Sequence, residues 1–277
     1  AFQKRWQRED GLIDNVLVNW DSPTATAFTV ELLAPVVQLA REVARLGDDR
    51  AAEIAESLGE YIRTGSLGAI DKGFHTPNHR WVVCAGLAQA MTLYPDLGAG
   101  SYVDSILSET IDINADGEYI ERSTGTYNAV CNRCLRIMAD HLGRPDLLDP
   151  VRRNLDMMIH MFHPDGSIET QMSNRQDRGT RKVPSVADSY FDLAQRDGNG
   201  EWAFIADRLV ASGAASSWLL YPFIAYPKFR EDRLERVPPP DSYRKVYPAA
   251  KILRVRDAGV SVTALAENDV PFKGVFG

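Results

Sequence analysis

Apolar residues recur at helical spacing through most of this chain and switch to strict alternation only near its end. Leu32, Val36, Leu39, Val43 and Leu46 fall on one helical face, and Gly47 follows as a stop signal. Ile54, Leu58 and Ile62 predict a second helix. Trp81 to Leu93 is a strongly apolar third, with Thr76 as its N-cap and Pro77 at the first helical position. Tyr102, Ile106 and Ile111 predict a fourth, and Asn128 to Leu142 a fifth that ends at Gly143. Leu148, Val151, Leu155, Met158 and Phe162 predict a sixth. Val186, Tyr190 and Phe191, then Trp202, Ile205 and Leu209, predict two more, and Trp218 to Ile224 a short last one. From Ile252 to Leu265 apolar and polar residues alternate about an Asp257-Ala258-Gly259 turn, which predicts a β-hairpin.

Val237-Pro238-Pro239-Pro240-Asp241 separates the two regimes and reads as a linker. The expected organisation is a helical domain over 1–236, a linker over 237–248 and the first strands of a β-domain over 249–277. Two strands do not make an independent domain, so the rest of that β-domain is expected to lie beyond this chain. Within the helical part, Asp116-Gly117-Glu118-Tyr119-Ile120-Glu121 is echoed 49 residues later by Asp165-Gly166-Ser167-Ile168-Glu169. The step from His79 to Tyr127 is similar. A period of ~50 residues fits one helix pair with its loops. Such pairs predict a mainly α architecture, an (α/α) toroid of helical hairpins, whose connecting loops gather on one rim.

Composition narrows the partners. The 277 residues suffice for a large buried core, and 44% apolar with 25% charged residues is ordinary for a soluble globular protein. No run approaches the ~20 apolar residues of a membrane-spanning helix. A net charge of −7 argues against nucleic acid as the main partner. It leaves room for an anionic sugar polymer, because local charge decides: residues 171–182 carry four cations against one Asp. Ala1-Phe2-Gln3-Lys4-Arg5 lacks both Met and an apolar signal core. It reads as a processed end, which predicts a removed signal peptide and a periplasmic or secreted protein. Cys131 and Cys134 form a C-x-x-C inside a helical pattern without a second pair, which suits core positions better than zinc or redox chemistry. Cys84 lies in an apolar helix and reads as core.

Two polar groups mark candidate chemistry, each where a loop enters an apolar-periodic helix. Thr76-Pro77-Asn78-His79-Arg80 supplies an amide, an imidazole and a guanidinium. Glu121-Arg122-Ser123-Thr124-Gly125-Thr126-Tyr127-Asn128 supplies a phenol with Arg122 and Asn128 beside it. First-turn positions face free N–H groups and the positive end of the helix dipole, which favour an anion and a neutral imidazole. The set suits removal of a proton from a carbon next to a carboxylate. His79 would act as base and Tyr127 as acid, while Asn78 and an arginine (Arg80, Arg122 or Arg175) neutralise the carboxylate. Glu169, Gln171, Asn174 and Arg175 form a polar stretch that reads as a sugar-binding loop. Each residue also has a bland reading: Asn-His at a helix start caps and packs, and a Tyr entering a helix fills core. His75, four before His79, invites an H-x-x-x-H metal site, but Pro77 and the helix boundary remove the shared face, so His75 is taken as a substrate contact and no metal ligand is assigned. His160 and His163 flank a helix end; His163, before Pro-Asp-Gly, reads equally as a helix-end residue or as one reaching the rim, and His141 suits a helix end. Trp81 reads as core, Trp20 as surface.

These residues resemble a known group. An Asn-His at a helix start, a Tyr about fifty residues on after a Gly-Glu-Tyr-Ile-Glu-Arg-Ser loop, a helical toroid and trailing strands are similar to the heparinase II/III-type polysaccharide lyases and to alginate lyases of the same architecture. The resemblance spans roughly residues 70 to 265. It implies cleavage of a uronic-acid polysaccharide by β-elimination, with Asn78 binding the uronate carboxylate and His79 and Tyr127 catalytic. It also implies that the strands open an antiparallel β-sandwich, which in many such enzymes adds a further His or Arg and often a structural metal. No cofactor is expected within this chain. Two other classes stay open. A glycoside hydrolase on the same toroid would need paired carboxylates, for which Asp116, Glu118, Glu121, Asp165 and Glu169 offer material. A non-catalytic glycan-binding protein would need neither His79 nor Tyr127.

Overall fold

The computed structural model describes residues 2–17, 19–70, 72 and 76–266. The chain packs as two units, one from Ala1–Ile111 with Ile137–Leu147, the other from Asp112–Arg136 with Leu148–Gly277. It is mainly helical, with a three-stranded antiparallel sheet near the C-terminus.

In the first unit, α1 (Phe2–Trp6) and a short hairpin of β1 (Ile13–Asn15) and β2 (Asn19–Ser22) precede the helices; the periodicity predicted none of the three. The helices are α2 (Pro23–Ala44), α3 (Asp49–Ala69), α4 (Pro77–Leu93) and α5 (Gly100–Ser108). Ser22 caps α2 by accepting the Ala25 N–H at 3.1 Å, and Asp48 caps α3 by accepting that of Ala51 at 2.8 Å. α2 packs on α3 and α4 through its small side chains: Ala27, Ala34 and Ala40 are buried with Val30 and Val37. On α4, Gly86 comes so near the Ala27 carbonyl that a Cβ there would sit 3.1 Å from it. The stripe that predicts the helix is not the one the helix buries. Leu32, Val36, Leu39, Val43 and Leu46 are exposed, Leu46 by 87%. Both stripes are apolar at helical spacing, and close helix approach selects the smaller. α2 is also long and apolar enough by composition to cross a membrane, against the expectation that no run approaches that length. Half of its most apolar window is buried, and Glu31 is fully enclosed within it.

The sequence echo corresponds to a repeated local structure. α4, a 3-10 turn at Pro95–Leu97 and α5 lead to a bridge between Ile113 and Tyr119. α6 (Tyr127–His141), a 3-10 turn at Pro145–Leu147 and α7 (Leu148–Met161) lead to a bridge between Phe162 and Ile168. Each bridge closes on a glycine of positive φ, Gly117 at 91° and Gly166 at 87°. Gly117 donates its N–H to Asn114 O at 3.1 Å, and Gly166 donates to His163 O at 3.0 Å.

In the second unit a buried polar chain pins the first of these turns. Tyr119 donates its hydroxyl to Asn132 at 2.9 Å, Asn132 donates to Asn154 at 2.8 Å, and Asn154 donates to the Gly117 carbonyl at 2.8 Å. Arg136 of α6 is fully buried against Asp188 and Asp192 of α8 (Ala187–Asp197), at 2.7 Å from each. α9 (Gly200–Ala211) and α10 (Leu220–Ala225) pack on α8. The sheet runs β3 (Ser242–Tyr247), β4 (Ile252–Asp257), β5 (Val260–Leu265), with Val246 opposite Leu253 and Val255 opposite Val262. β4 and β5 are the predicted hairpin. β3 lies in the stretch read as linker, where Arg244-Lys245 interrupts the alternation. The buried side of β4 is Ile252, Arg254 and Arg256, not the aliphatic Leu253 and Val255.

Candidate functional site

The chemistry proposed from sequence falls in both units. In the first, α4 starts as predicted: Thr76 is the N-cap, Pro77 follows, and the Thr76 carbonyl accepts the Arg80 N–H at 3.2 Å. The Thr76 hydroxyl makes no cap bond. Asn78 is fully enclosed and Arg80 nearly so. Arg80 is committed to Glu109 at 2.7 Å and lies 4.5 Å over the Trp81 ring. His79 is half-buried, with its ring edge-to-face against Phe28 at 6.5 Å. His75 lies outside the described residues. Trp81 is core and Trp20 exposed, as read from the sequence. The Cys84 thiol is pushed up to about 12 by burial, and it, Cys131 and Cys134 form no disulfide.

In the second unit the structure brings several predicted residues together around Tyr127. Asp177 draws two stretches into contact, accepting the Ser123 hydroxyl at 2.9 Å, the Gly125 N–H at 3.1 Å and the Ser173 hydroxyl at 2.5 Å. Ser123 in turn accepts the Tyr127 N–H at 3.0 Å, which satisfies the first free N–H of α6. Tyr127 is half-buried and donates its phenol to Gln176 Oε1 at 3.2 Å. The Arg175 guanidinium lies 4.3 Å over the phenol ring and pairs with Glu121 at 2.6 Å. Asn174 donates to the Glu121 and Ile120 carbonyls. Asn128 is buried beside Tyr127, and its Oδ1 meets no donor among the described residues. Arg122 adopts φ 55° and spends its guanidinium on Glu118 and on the Ala250 carbonyl, both at 2.9 Å. Burial pushes the Glu118 carboxyl up, and Arg122 opposes it.

A cavity of about 540 Å³ opens nearby, lined by the second Asp-Gly turn, by Glu169 and Gln171, by Thr180 and Arg181, and by the β4–β5 turn at Gly259–Ser261. It is joined to the Tyr127 loop at two points: the Thr124 hydroxyl donates to the Glu169 carbonyl, and Lys182 donates to Thr126 at 2.8 Å. His163 Nδ1 faces both the Ser261 hydroxyl at 2.7 Å and Arg254 Nη2 at 3.2 Å. Arginine only donates, so Nδ1 accepts and the neutral ring carries its proton on Nε2. Burial, with Arg254 beside it, holds His163 below the ordinary histidine range. Burial pushes Glu169 up, but the Thr263 hydroxyl and the Gln171 N–H outweigh it and leave this carboxyl below its usual range. Asp165 is held well down by Ser167 and Arg181. Both cavity carboxylates are thus ionised at neutral pH, and neither offers the raised, protonated acid that glycoside hydrolysis needs.

Sequence reasoning missed Asp177 and Arg254, which hold the loops but carry no motif. His163 had a signal, because it occupies in the second turn the place of Asn114 in the first. Among the described residues no three His, Cys, Asp or Glu side chains gather as a metal would need. No protein-family model matches this chain, and no curated protein matches it.

Proposed function

We propose that this chain carries the catalytic helical domain of a polysaccharide lyase of the heparinase II/III type, an (α/α) toroid of hairpins that cleaves an acidic polysaccharide by β-elimination. The observation that carries this reading is the environment of Tyr127: a half-buried phenol at a helix start, under a guanidinium, on a loop rich in amide and arginine donors. The twofold helix–turn–helix–bridge repeat supports the toroid.

The chemistry follows from the substrate. The C5 proton of a uronate is weakly acidic, because its removal places charge next to a carboxylate that is already negative. Donors must neutralise that carboxylate first. In this reading Asn78 gives its amide, and Arg175, with Asn174 and Asn128 as further contacts, adds charge. His79 takes the C5 proton. The C5–H electron pair becomes the C4–C5 double bond, the C4–O bond breaks, and Tyr127 returns a proton to the leaving oxygen. Gln171 completes the proposed substrate contacts, whereas Arg80 and Arg122 are held by Glu109 and Glu118 and position their loops, and the setting is periplasmic or secreted.

The test is a panel of polyuronates assayed for the ultraviolet absorbance of a C4–C5 unsaturated product. Tyr127→Phe is expected to lower turnover by at least about a hundredfold with the fold intact. Reducing ends without unsaturation would favour the hydrolase. Binding without any cleavage would favour the glycan-binding protein.

A further inference from the structure

The polar cavity of the second unit is not absorbed by that chemistry. Its volume, about 540 Å³, lies in the range of small-ligand sites, and hydrogen-bonding groups dominate its wall. The decisive feature is charge balance. Two carboxylates face the space, Asp165 and Glu169. The cations near them are already used. Arg181 donates to Asp165 with its Nε at 2.9 Å. Arg254 stands 3.9 Å from Glu169, fully buried and committed to main-chain carbonyls. The His163 ring is uncharged, since Arg254 occupies its Nδ1 side. The two carboxylates of the cavity are matched by Arg181 and Arg254, so its wall has no surplus positive charge to offer a carboxylate or sulfate. Hydroxyl groups are served well: Glu169 can accept, His163 Nε2–H and the Gln171 amide can donate, and the Val260 side chain gives an apolar edge.

We propose that this cavity is a subsite for an uncharged sugar residue, so that the polymer alternates uronate with a neutral, unsulfated sugar. The assignment of the polymer rests on the lyase reading; the preference of the cavity for an uncharged ring does not. Gln171 then contacts the neutral residue, while the Tyr127 loop, joined to the cavity through Thr124 and Glu169, handles the neighbouring uronate.

The experiment measures direct binding by calorimetry to the Tyr127→Phe chain, which suppresses cleavage. Three tetrasaccharides serve as probes: unsulfated hyaluronan, in which N-acetylglucosamine alternates with glucuronate; oligomannuronate, in which every ring is charged; and a sulfated heparin fragment. Hyaluronan is expected to bind at least about tenfold more tightly than the other two. Val260→Trp, at an exposed position on the cavity edge, is expected to abolish that preference without shifting the thermal midpoint. Gln171→Ala is a second variant, equally exposed, should the tryptophan disturb the hairpin. Equal or tighter binding of oligomannuronate or heparin, no binding of any probe, or a preference that survives both variants would overturn the assignment. Cleavage is scored separately on the unsubstituted chain. The preference without an unsaturated product removes the lyase and keeps the subsite; an unsaturated product without the preference does the reverse.

Discussion

Replacing Arg254 by Met tests whether an inward-facing arginine holds the sheet to the helices of its unit. Its side chain is completely buried on β4. Nε donates to the His160 carbonyl at 2.9 Å and Nη2 to that of Phe162 at 3.1 Å, with the Met161 carbonyl at 3.3 Å. These carbonyls lie at the C-terminus of α7, where a helix has no partners of its own for them and carries partial negative charge. Nη1 donates to Thr263 on β5 at 2.7 Å. Met fills similar volume but donates nothing. The His160 carbonyl keeps the Tyr243 hydroxyl at 2.7 Å and the Met161 carbonyl keeps the Glu169 N–H at 2.9 Å, so the Phe162 carbonyl is the one that loses its donor, at about 1–3 kcal/mol. Glu169 also loses its nearest buried cation. Together these give a loss of about 3–5 kcal/mol, the range for breaking a buried charged contact. The assay is denaturant unfolding with amide exchange of β3–β5 read alongside. The midpoint should fall, and exchange in the sheet should accelerate before that in α8 and α9. Arg254→Lys, which keeps the charge and loses the fork, should lie between. A change under about 1 kcal/mol for Arg254→Met would refute the argument, because a surface substitution does no more.

Arg136→Met leaves Asp188 and Asp192 buried without their shared guanidinium and should cost about 3–5 kcal/mol, read by thermal or denaturant unfolding; a neutral result would mean that water reaches the pair. His160 and His163 are both held low, chiefly by burial, so the folded state resists their protonation. Stability should be unaffected by these groups above about pH 6.5 and should fall as pH drops below it, because the unfolded chain gains protons first. A His160→Asn, His163→Asn chain should show a flatter decline over that window, and an unchanged slope would exclude these two histidines as its cause. The paired glycines should differ: Gly117→Ala meets positive φ and the Arg153 carbonyl at 2.2 Å, whereas Gly166→Ala meets positive φ with only Arg208 at 3.8 Å. Melting should show a loss of about 3 kcal/mol or more for the first and about 1–2 for the second.

Much of the helical pattern was legible because its signals are local. Thr76 and Pro77 mark the start of α4, and Gly47 and Gly143 mark ends, whatever the rest of the chain does. The buried face of α2 was not legible, since Leu32-Val36-Leu39 and Val30-Ala34-Val37 satisfy the same periodicity. Only the close approach of Gly86 decides between them. β3 was hidden because Arg244 and Lys245 sit side by side where alternation demands one apolar residue. Arg254 was hidden for the opposite reason: alternation on β4 is perfect, but its usual meaning is inverted by the helix end beneath it. At the candidate site, Tyr127, Asn174 and Arg175 could be grouped from sequence by the repeat step. The reason they meet could not, because it lies in Asp177, one acidic residue among several, accepting from Ser123, Gly125 and Ser173 at once.

The two Asp-Gly turns show how a repeated backbone separates structural duty from chemical duty. Both need a glycine of positive φ and the same pair of backbone hydrogen bonds, so that part of the motif is fixed by geometry. The side chains at equivalent places are not. Asn114, in the first turn, spends its side-chain oxygen on the N–H groups of Asp116 and Glu118 and closes its own loop. His163, in the second, leaves that task to Asp165 and turns its ring toward Ser261 and Arg254. Glu118 is consumed in holding Arg122, whereas Ser167 at the same place donates to Asp165 and leaves the space beside it open. The first copy lines a more apolar hollow of about 400 Å³ with side chains that already have internal partners, and the second lines the polar cavity of about 540 Å³. Divergence of this kind is expected when one copy is used to fix a loop and the other to meet a ligand, because a group that already has its partner inside the protein has little to gain from a sugar outside it.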